Sequence, residues 1–503
     1  PGLWNIALSA DDDNLIPESN EYNNTVSFPI LVSDYVFFEE LILDIENNSY
    51  SNHSMMGDYD RDGDLDLFTG DGIFRFENNL DYLKVSNIST GIKWGDVDHD
   101  GDLDLLASDG IYINSGNDTF NLVNSINNVT DWGDLDHDGD YDILTLSSIF
   151  RNDGNNVFTD LNVGFGGFKF LDYNNDSWLD VLSDGTILRN EGDFLFNDID
   201  ITIDVGNYCI NDFNHDGRID ILQSIREGTY YSTKIYENHG VSGFLPQNEM
   251  DFPGIKMNDG DIDAADFNND GNLDFVITGD WADGTPITEC FIGDENGSFE
   301  KLKIIELPDL WGSTVCYGDT DFDADLDILL KGKGRPDNYE FFINNISVYP
   351  NEPPQIPDSL HSIADNNKAV LSWTKAMDDK TSTNSISYNL YLYNEKGDTI
   401  VSPMASIKTG KRLIPEIGNM QFNLFWESDS LEKGKYFWSV QAIDNGFASS
   451  CFAEEQTFEI TSLWTDFKAD TVCLGQKTHF SCDTVIQYEG GSLEYKWYFG
   501  DCD

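Results

Sequence analysis

Asp58-Tyr59-Asp60-Arg61-Asp62-Gly63-Asp64-Leu65-Asp66 is a nine-residue pattern that returns six more times along the chain. Asp96-Val97-Asp98-His99-Asp100-Gly101-Asp102-Leu103-Asp104 and Asp134-Leu135-Asp136-His137-Asp138-Gly139-Asp140-Tyr141-Asp142 follow it. Next come Asp172-Tyr173-Asn174-Asn175-Asp176-Ser177-Trp178-Leu179-Asp180 and Asp212-Phe213-Asn214-His215-Asp216-Gly217-Arg218-Ile219-Asp220. The last two are Asp266-Phe267-Asn268-Asn269-Asp270-Gly271-Asn272-Leu273-Asp274 and Asp319-Thr320-Asp321-Phe322-Asp323-Ala324-Asp325-Leu326-Asp327. Their starting positions lie 38, 38, 38, 40, 54 and 53 residues apart. A period of this size marks one supersecondary unit repeated along the chain.

The loop chemistry points to a hard cation. Oxygens at positions one, three and five converge if the chain turns sharply, and glycine at position six permits the left-handed backbone that such a turn needs. Position seven (Asp64, Asp102, Asp140, Trp178, Arg218, Asn272 and Asp325) can offer its carbonyl, and the aspartate at position nine can bind two-fold. That supplies the six to eight oxygens preferred by Ca²⁺, so up to seven ions are expected, one per repeat. The opening spacing is that of an EF-hand, but the loop closes at position nine rather than twelve. The flanks, such as Leu103-Asp104-Leu105-Leu106-Ala107, read as short strands rather than helices. Ser177 and Ala324 replace the glycine in the fourth and seventh loops. Mg²⁺ rarely takes an all-protein cage. Zinc is not expected, because His99, His137 and His215 all stand at position four, where a side chain should point to solvent.

One repeat reads as four strands. In residues 92–124 these are Ile92–Trp94, Leu103–Ala107, Ile111–Ile113 and Phe120–Val123, separated by short polar turns. Four short strands in about 38 residues are the unit of a propeller blade. One blade cannot bury both faces alone, so a ring is needed. The fourth strand of the seventh repeat is not evident. Val36–Leu43 is a spare strand ahead of the first loop and is expected to complete that last blade.

These residues resemble the FG-GAP and VCBS-like repeats over roughly 35–347. The features that carry the resemblance are Gly57, Gly95, Gly133 and Gly318 before the loops, the loops themselves, and the Phe or Tyr plus Asn that follow them. The resemblance implies a calcium-binding propeller like those of integrin α-chains and many secreted bacterial proteins. Residues 351–462 are similar to a fibronectin type III domain. Val370–Trp373, Tyr388–Leu392, Lys435–Ala442, Gly418-Asn419 and Val440–Asp444 carry that likeness. Residues 463–503 resemble the start of a PKD-type domain through Trp497–Asp501. Residues 1–34 resemble the end of a CARDB-type sandwich through Asp11–Thr25. The expected architecture is therefore all-β, with a seven-bladed β-propeller at 35–350 followed by immunoglobulin-like β-sandwich modules. Pro1-Gly2 and the ending at Asp503 suggest a segment of a longer, multidomain surface protein.

Composition narrows the function. The formal net charge is −64, so a phosphate backbone would be repelled and nucleic acid is not an expected partner. No apolar run approaches a membrane span, so direct insertion is not expected. The seven cysteines form no CxxC pair. No GxSxG, HExxH or P-loop pattern occurs, and the motif carboxylates are committed to metal, whereas acid–base catalysis needs free ones. The expectation is a non-enzymatic, calcium-stabilised adhesion or scaffold protein, secreted or at the cell surface, whose partner is a surface protein or a glycan. The alternative is a carbohydrate-binding propeller or a protein associated with a polysaccharide lyase or glycosidase. Repeats five and six carry insertions on the side opposite the loops. These place Tyr230, Tyr231, Trp281 and Trp311 there as candidate ligand-binding residues.

Overall fold

The computed structural model describes residues 53–461, apart from 79–80, 155, 193, 201–205, 228–229, 241–242, 248–251, 257–259, 282, 303–306, 334–339, 345–349 and 366. It also describes strands Gly2–Ser9, Thr25–Val32, Phe38–Leu41, Phe467–Ala469 and Phe480–Cys482. Most of the stretches that carry the CARDB-like and PKD-like resemblances, residues 11–24 and 497–501, lie outside the described residues. The described chain is all-β, built from small antiparallel sheets.

Seven sheets follow one another between residues 55 and 344. Their first strands are Met55–Gly57, Gly91–Gly95, Val129–Gly133, Lys169–Leu171, Tyr208–Asn211, Gly260–Ala265 and Trp311–Gly318. The second sheet shows the plan: Gly91–Gly95, Asp104–Ala107, Gly110–Asn114 and Phe120–Asn124, paired in that order. Each nine-residue loop therefore joins the first strand of a sheet to the second. In the seventh sheet, Glu340–Asn344 is followed by Phe38–Leu41, which pairs antiparallel with Phe38 opposite Asn344 and Leu41 opposite Phe341. A strand from ahead of the first loop thus completes the last sheet.

The apolar residues lie between sheets. Trp94, Leu103 and Leu105 of the second sheet pack on Tyr59, Phe68 and Ile73 of the first. Met56, Leu67 and Phe74 of the first pack on Cys316 and Leu329 of the seventh, so the succession closes on itself. Close approach explains the glycine before the loop: a Cβ on Gly95 would lie 2.6 Å from the Trp132 ring of the next sheet.

Residues 361–460 form a second body. Its strands make one sheet of three and one of four around a single core that includes Trp373, Tyr388, Trp426 and Trp438. Strands Lys368–Ser372, Ser387–Asn394 and Gly434–Ile443 supply most of that core.

The asparagine at the end of the third strand clamps neighbouring sheets. Asn190 Nδ2 donates to Leu135 O of the preceding sheet's loop at 2.9 Å and to Leu179 O at 3.2 Å, while its Oδ1 accepts from Gly192 N at 3.0 Å. Asn114 and Asn238 make the same reach to Tyr59 O and Tyr173 O, each at position two of the preceding loop. Asn190→Ala leaves buried carbonyls without a donor and should cost about 2 kcal/mol of unfolding free energy. A denaturant midpoint equal to that of the parent would remove this role.

Candidate metal centres

All seven loops share one backbone. Position six takes positive φ throughout, from 69° at Ala324 to 103° at Gly63, with Ser177 at 73°. Position four does so as well, with Arg61, His99, His137, Asn175, His215, Asn269 and Phe322 at 55–64°. A left-handed residue other than glycine costs about 1–2 kcal/mol, so each loop stores backbone strain that its contacts must outweigh.

Loop carboxylates do this first with the backbone. Asp212 Oδ1 accepts from Asp216 N at 3.0 Å and its Oδ2 from Gly217 N at 2.9 Å. The pattern recurs in loop four and loop six, through Asp172 and Asp266. Position nine is buried in every repeat. Asp104 Oδ2 accepts from Val97 N at 2.9 Å, and its Oδ1 from Asn114 N of the third strand at 2.8 Å. Asp66, Asp142, Asp180 and Asp220 repeat both bonds. Asp274 Oδ1 accepts from Gly293 N, and Asp327 Oδ2 accepts from Thr320 N and from the Thr320 hydroxyl. The residues expected as two-fold metal ligands therefore also tie each loop to its sheet.

The remaining oxygens converge. Ligand atoms of Asp58, Asp60 and Asp62 lie within 4.8 Å of one another, as do those of Asp96, Asp98 and Asp104. The same holds for Asp134, Asp136 and Asp138, and for Asp319, Asp321 and Asp323. In loops four, five and six an asparagine stands at position three. Asn174 Nδ2 donates to Asp176 Oδ2 at 2.7 Å, and Asn268 Nδ2 to Asp270 Oδ2 at 3.1 Å. Several buried oxygens have no hydrogen-bond donor: Oδ1 of Asp58, Asp96 and Asp134, Oδ1 of Asp64, both oxygens of Asp325 and Oδ2 of Asp274. Asp96 is only 2% exposed and Asp58 only 3%. A buried, unpaired carboxylate oxygen is costly, and a cation is the partner that relieves it. The set is all hard oxygen, which fits Ca²⁺. At position seven the side chains of Asp64 and Asp325, and not only the carbonyls, have oxygens to offer.

The histidines correct one expectation. His137 is buried, stacked on Trp178 with ring centroids 4.1 Å apart, and its ring nitrogens face Glu427 O and Ser177 O. His215 Nδ1 lies 3.0 Å from Ser385 Oγ. His99 also has both ring nitrogens buried. None points freely to solvent: residues of 351–461 lie against His137 and His215, and the His99 ring lies against Tyr141.

Every loop meets that second body. Asp58 N donates to Leu413 O at 2.8 Å, and the Lys411 ammonium donates to Gly63 O. Ser402 Oγ donates to Asp96 Oδ2 at 2.7 Å, Asn423 Nδ2 to Asp172 Oδ2 at 2.7 Å, and Ser385 Oγ to Asp212 Oδ2 at 2.9 Å. Glu427 O faces His137 in loop three. Asp266 N donates to Asn445 O at 3.0 Å, and Asn351 N to Ala324 O at 2.8 Å. Leu413 and Ile414 enter the core between the first two sheets, and Phe422 enters that between the fourth and fifth. Sequence reading missed this contact.

The covering body also closes one end of a cavity of about 870 Å³, lined by the first strands of the sheets and by residues 414–421. Lys93 Nζ lies 2.8 Å from Asp131 Oδ1 on its wall. Burial alone would raise the Asp131 carboxyl, but the Lys169 and Lys93 ammonium groups hold it below the usual range. Across the sequence of sheets, burial and Asp261 push Asp263 up to about 8.

On the opposite side Tyr230 is 57% exposed and Trp281 is 44% exposed. Trp311 is half-buried, and its ring nitrogen donates to Gly284 O at 3.1 Å, beside the turn that carries Trp281. Tyr231 is half-buried against Gly254. Two of the four aromatics thus pack the longer turns and two face outward.

A family model described as FG-GAP-like repeat matches residues 212–277 and 266–330. Together with the all-β sheets this makes the fold propeller-like. No curated protein matches the chain. Among solved structures it is similar to the extracellular domain of a protein described as a hybrid two component system from B. thetaiotaomicron, at 14% identity and TM-score 0.34. That match covers 83% of this chain and 56% of the other. Another extracellular domain from that organism, also described as belonging to a hybrid two component system, matches at 11% identity and TM-score 0.37, covering 82% of this chain and 58% of that one. The chain thus spans less than two thirds of the length of these relatives.

The ion-free loops set a pH dependence. Burial, with neighbouring carboxylates adding to it, pushes Asp58 and Asp319 up to about 6, Asp64 and Asp138 to about 7, and Asp66, Asp104, Asp266 and Asp325 to about 8. These folded-state values lie above the unfolded ones. The folded chain then holds the extra protons, and its stability falls as pH rises through them. With chelator present, the melting temperature should drop between about pH 5 and about pH 8. A flat or rising profile in calorimetric scans would contradict the ion-free geometry.

Proposed function

We propose that residues 35–350 form a seven-bladed calcium-binding β-propeller and that 351–462 is a fibronectin type III-like sandwich seated on its calcium-loop face. The observation that carries the reading is the set of buried loop carboxylate oxygens without donors, at position one in the first three loops and at position seven or nine in the first, sixth and seventh, around a closed succession of sheets. Carboxylates committed to cations in these turns would be unsuited to acid–base work. The protein is then a non-enzymatic, calcium-stabilised adhesion or scaffold module of a larger secreted or surface protein. The FG-GAP-like match supports the extracellular setting, where calcium is abundant. No helix among the described residues is long and apolar enough to cross a membrane.

Calcium at about 100 to 1,000 times its dissociation constant should add about 3–4 kcal/mol of stability per site. Titration calorimetry should show several sites per chain, and the melting temperature should rise steeply with calcium. Absence of binding heat together with an unchanged melting temperature would overturn the reading.

The outward-facing Trp281 and Tyr230 favour a glycan or protein partner on the side away from the loops. Trp281→Ala should weaken capture on a glycan array or a surface-protein panel by about tenfold or more, since an exposed aromatic anchor is worth about 1–3 kcal/mol. Capture equal to that of the parent would assign Trp281 no part in binding.

A further inference from the structure

The first aspartate of three loops is shared between the two bodies. Ser402 Oγ, Asn423 Nδ2 and Ser385 Oγ each donate to Oδ2 of Asp96, Asp172 and Asp212, at 2.7, 2.7 and 2.9 Å. In loop two Asp96 Oδ1 is buried and without a donor, and ligand oxygens of Asp96, Asp98 and Asp104 lie within 4.8 Å of one another. A group that holds one carboxylate oxygen fixes the direction of the other, which is how outer-layer hydrogen bonds orient metal ligands. We propose that Ser385, Ser402 and Asn423 are positioning residues for the loop cations, and that cation binding and the seating of residues 351–461 are a single linked equilibrium. The proposal rests on the calcium reading above.

Charge makes the linkage physical. Residues 351–461 hold fifteen Asp and Glu against nine Lys and Arg, so an acidic body sits on seven acidic loops. Asp444 is buried at this contact and feels the charges of both Asp378 and Asp266. Lys411 offsets the first loop, where it reaches Gly63 O and the field of Asp58. Burying the other carboxylates without cations is costly. Leu413 and Phe422 supply apolar anchoring that holds the register once the charge is offset. Reciprocity follows: whatever factor the ions add to seating, seating adds to ion affinity.

The test uses the whole chain in calcium and in chelator, with calorimetry and hydrogen exchange run together. In chelator, amides of residues 382–386, 399–404 and 411–426 should exchange faster, while the sandwich strands Ser387–Asn394 and Gly434–Ile443 stay protected. The combined variant Ser385→Ala, Ser402→Ala and Asn423→Ala should weaken three calcium sites by about tenfold or more. Protection of the sandwich strands in that variant shows that it remains folded. Calcium heat with exchange unchanged by chelation would overturn the linkage and leave the calcium reading standing. Parental affinity in the variant would overturn the positioning role. No calcium heat at all would overturn both readings.

Discussion

The carboxylate at the ninth loop position is the constraint on which the rest of the ring depends. It is buried in each repeat. In five repeats one oxygen takes an amide from the second loop residue and the other an amide from the third strand. No neutral side chain of that size offers two acceptors in opposite directions. The bond pair sets where the loop begins relative to the sheet, and so sets where the aspartates at positions one, three and five meet. Charge buried for a structural reason then demands a counter-charge, and the open oxygens of the loop are where one can enter.

The same placement decides which face is covered. The loops lie on the side covered by residues 351–461, whose backbone and short polar side chains meet all seven. Apolar anchors fill the seams between sheets below them. On the other side the long turns of the fifth and sixth sheets carry Tyr230 and Trp281 outward, the face proposed to meet a partner. The cavity lined by the first strands is closed by residues 414–421 at the covered end.

Much of the fold was legible because its signals are local. A nine-residue turn must have oxygen and glycine at given offsets, and the strands beside it are short and apolar. Repeat two shows this: its four expected strands and its four observed ones differ by no more than one residue at either end. Ser177 and Ala324 stand where the other loops have glycine, and both nevertheless take positive φ. The positive φ at position four was not legible, because histidine, asparagine, arginine and phenylalanine share no signature for it. The role of the asparagine after the third strand was also hidden, since its partner carbonyl lies 55 residues away for Asn190.

By itself the sequence determined the repeat, the four-strand plan of its unit and the oxygen chemistry of the loops, because each depends on residues within a few positions of one another. Only the tertiary structure decided that residues 351–461 seat on the loop face, and that His137 stacks between the two bodies rather than facing water. It also showed Ser385, Ser402 and Asn423 reaching aspartates 173 to 306 residues away. Such contacts arise from how two separately patterned surfaces complement each other in shape and charge, and no periodicity along one chain encodes that match.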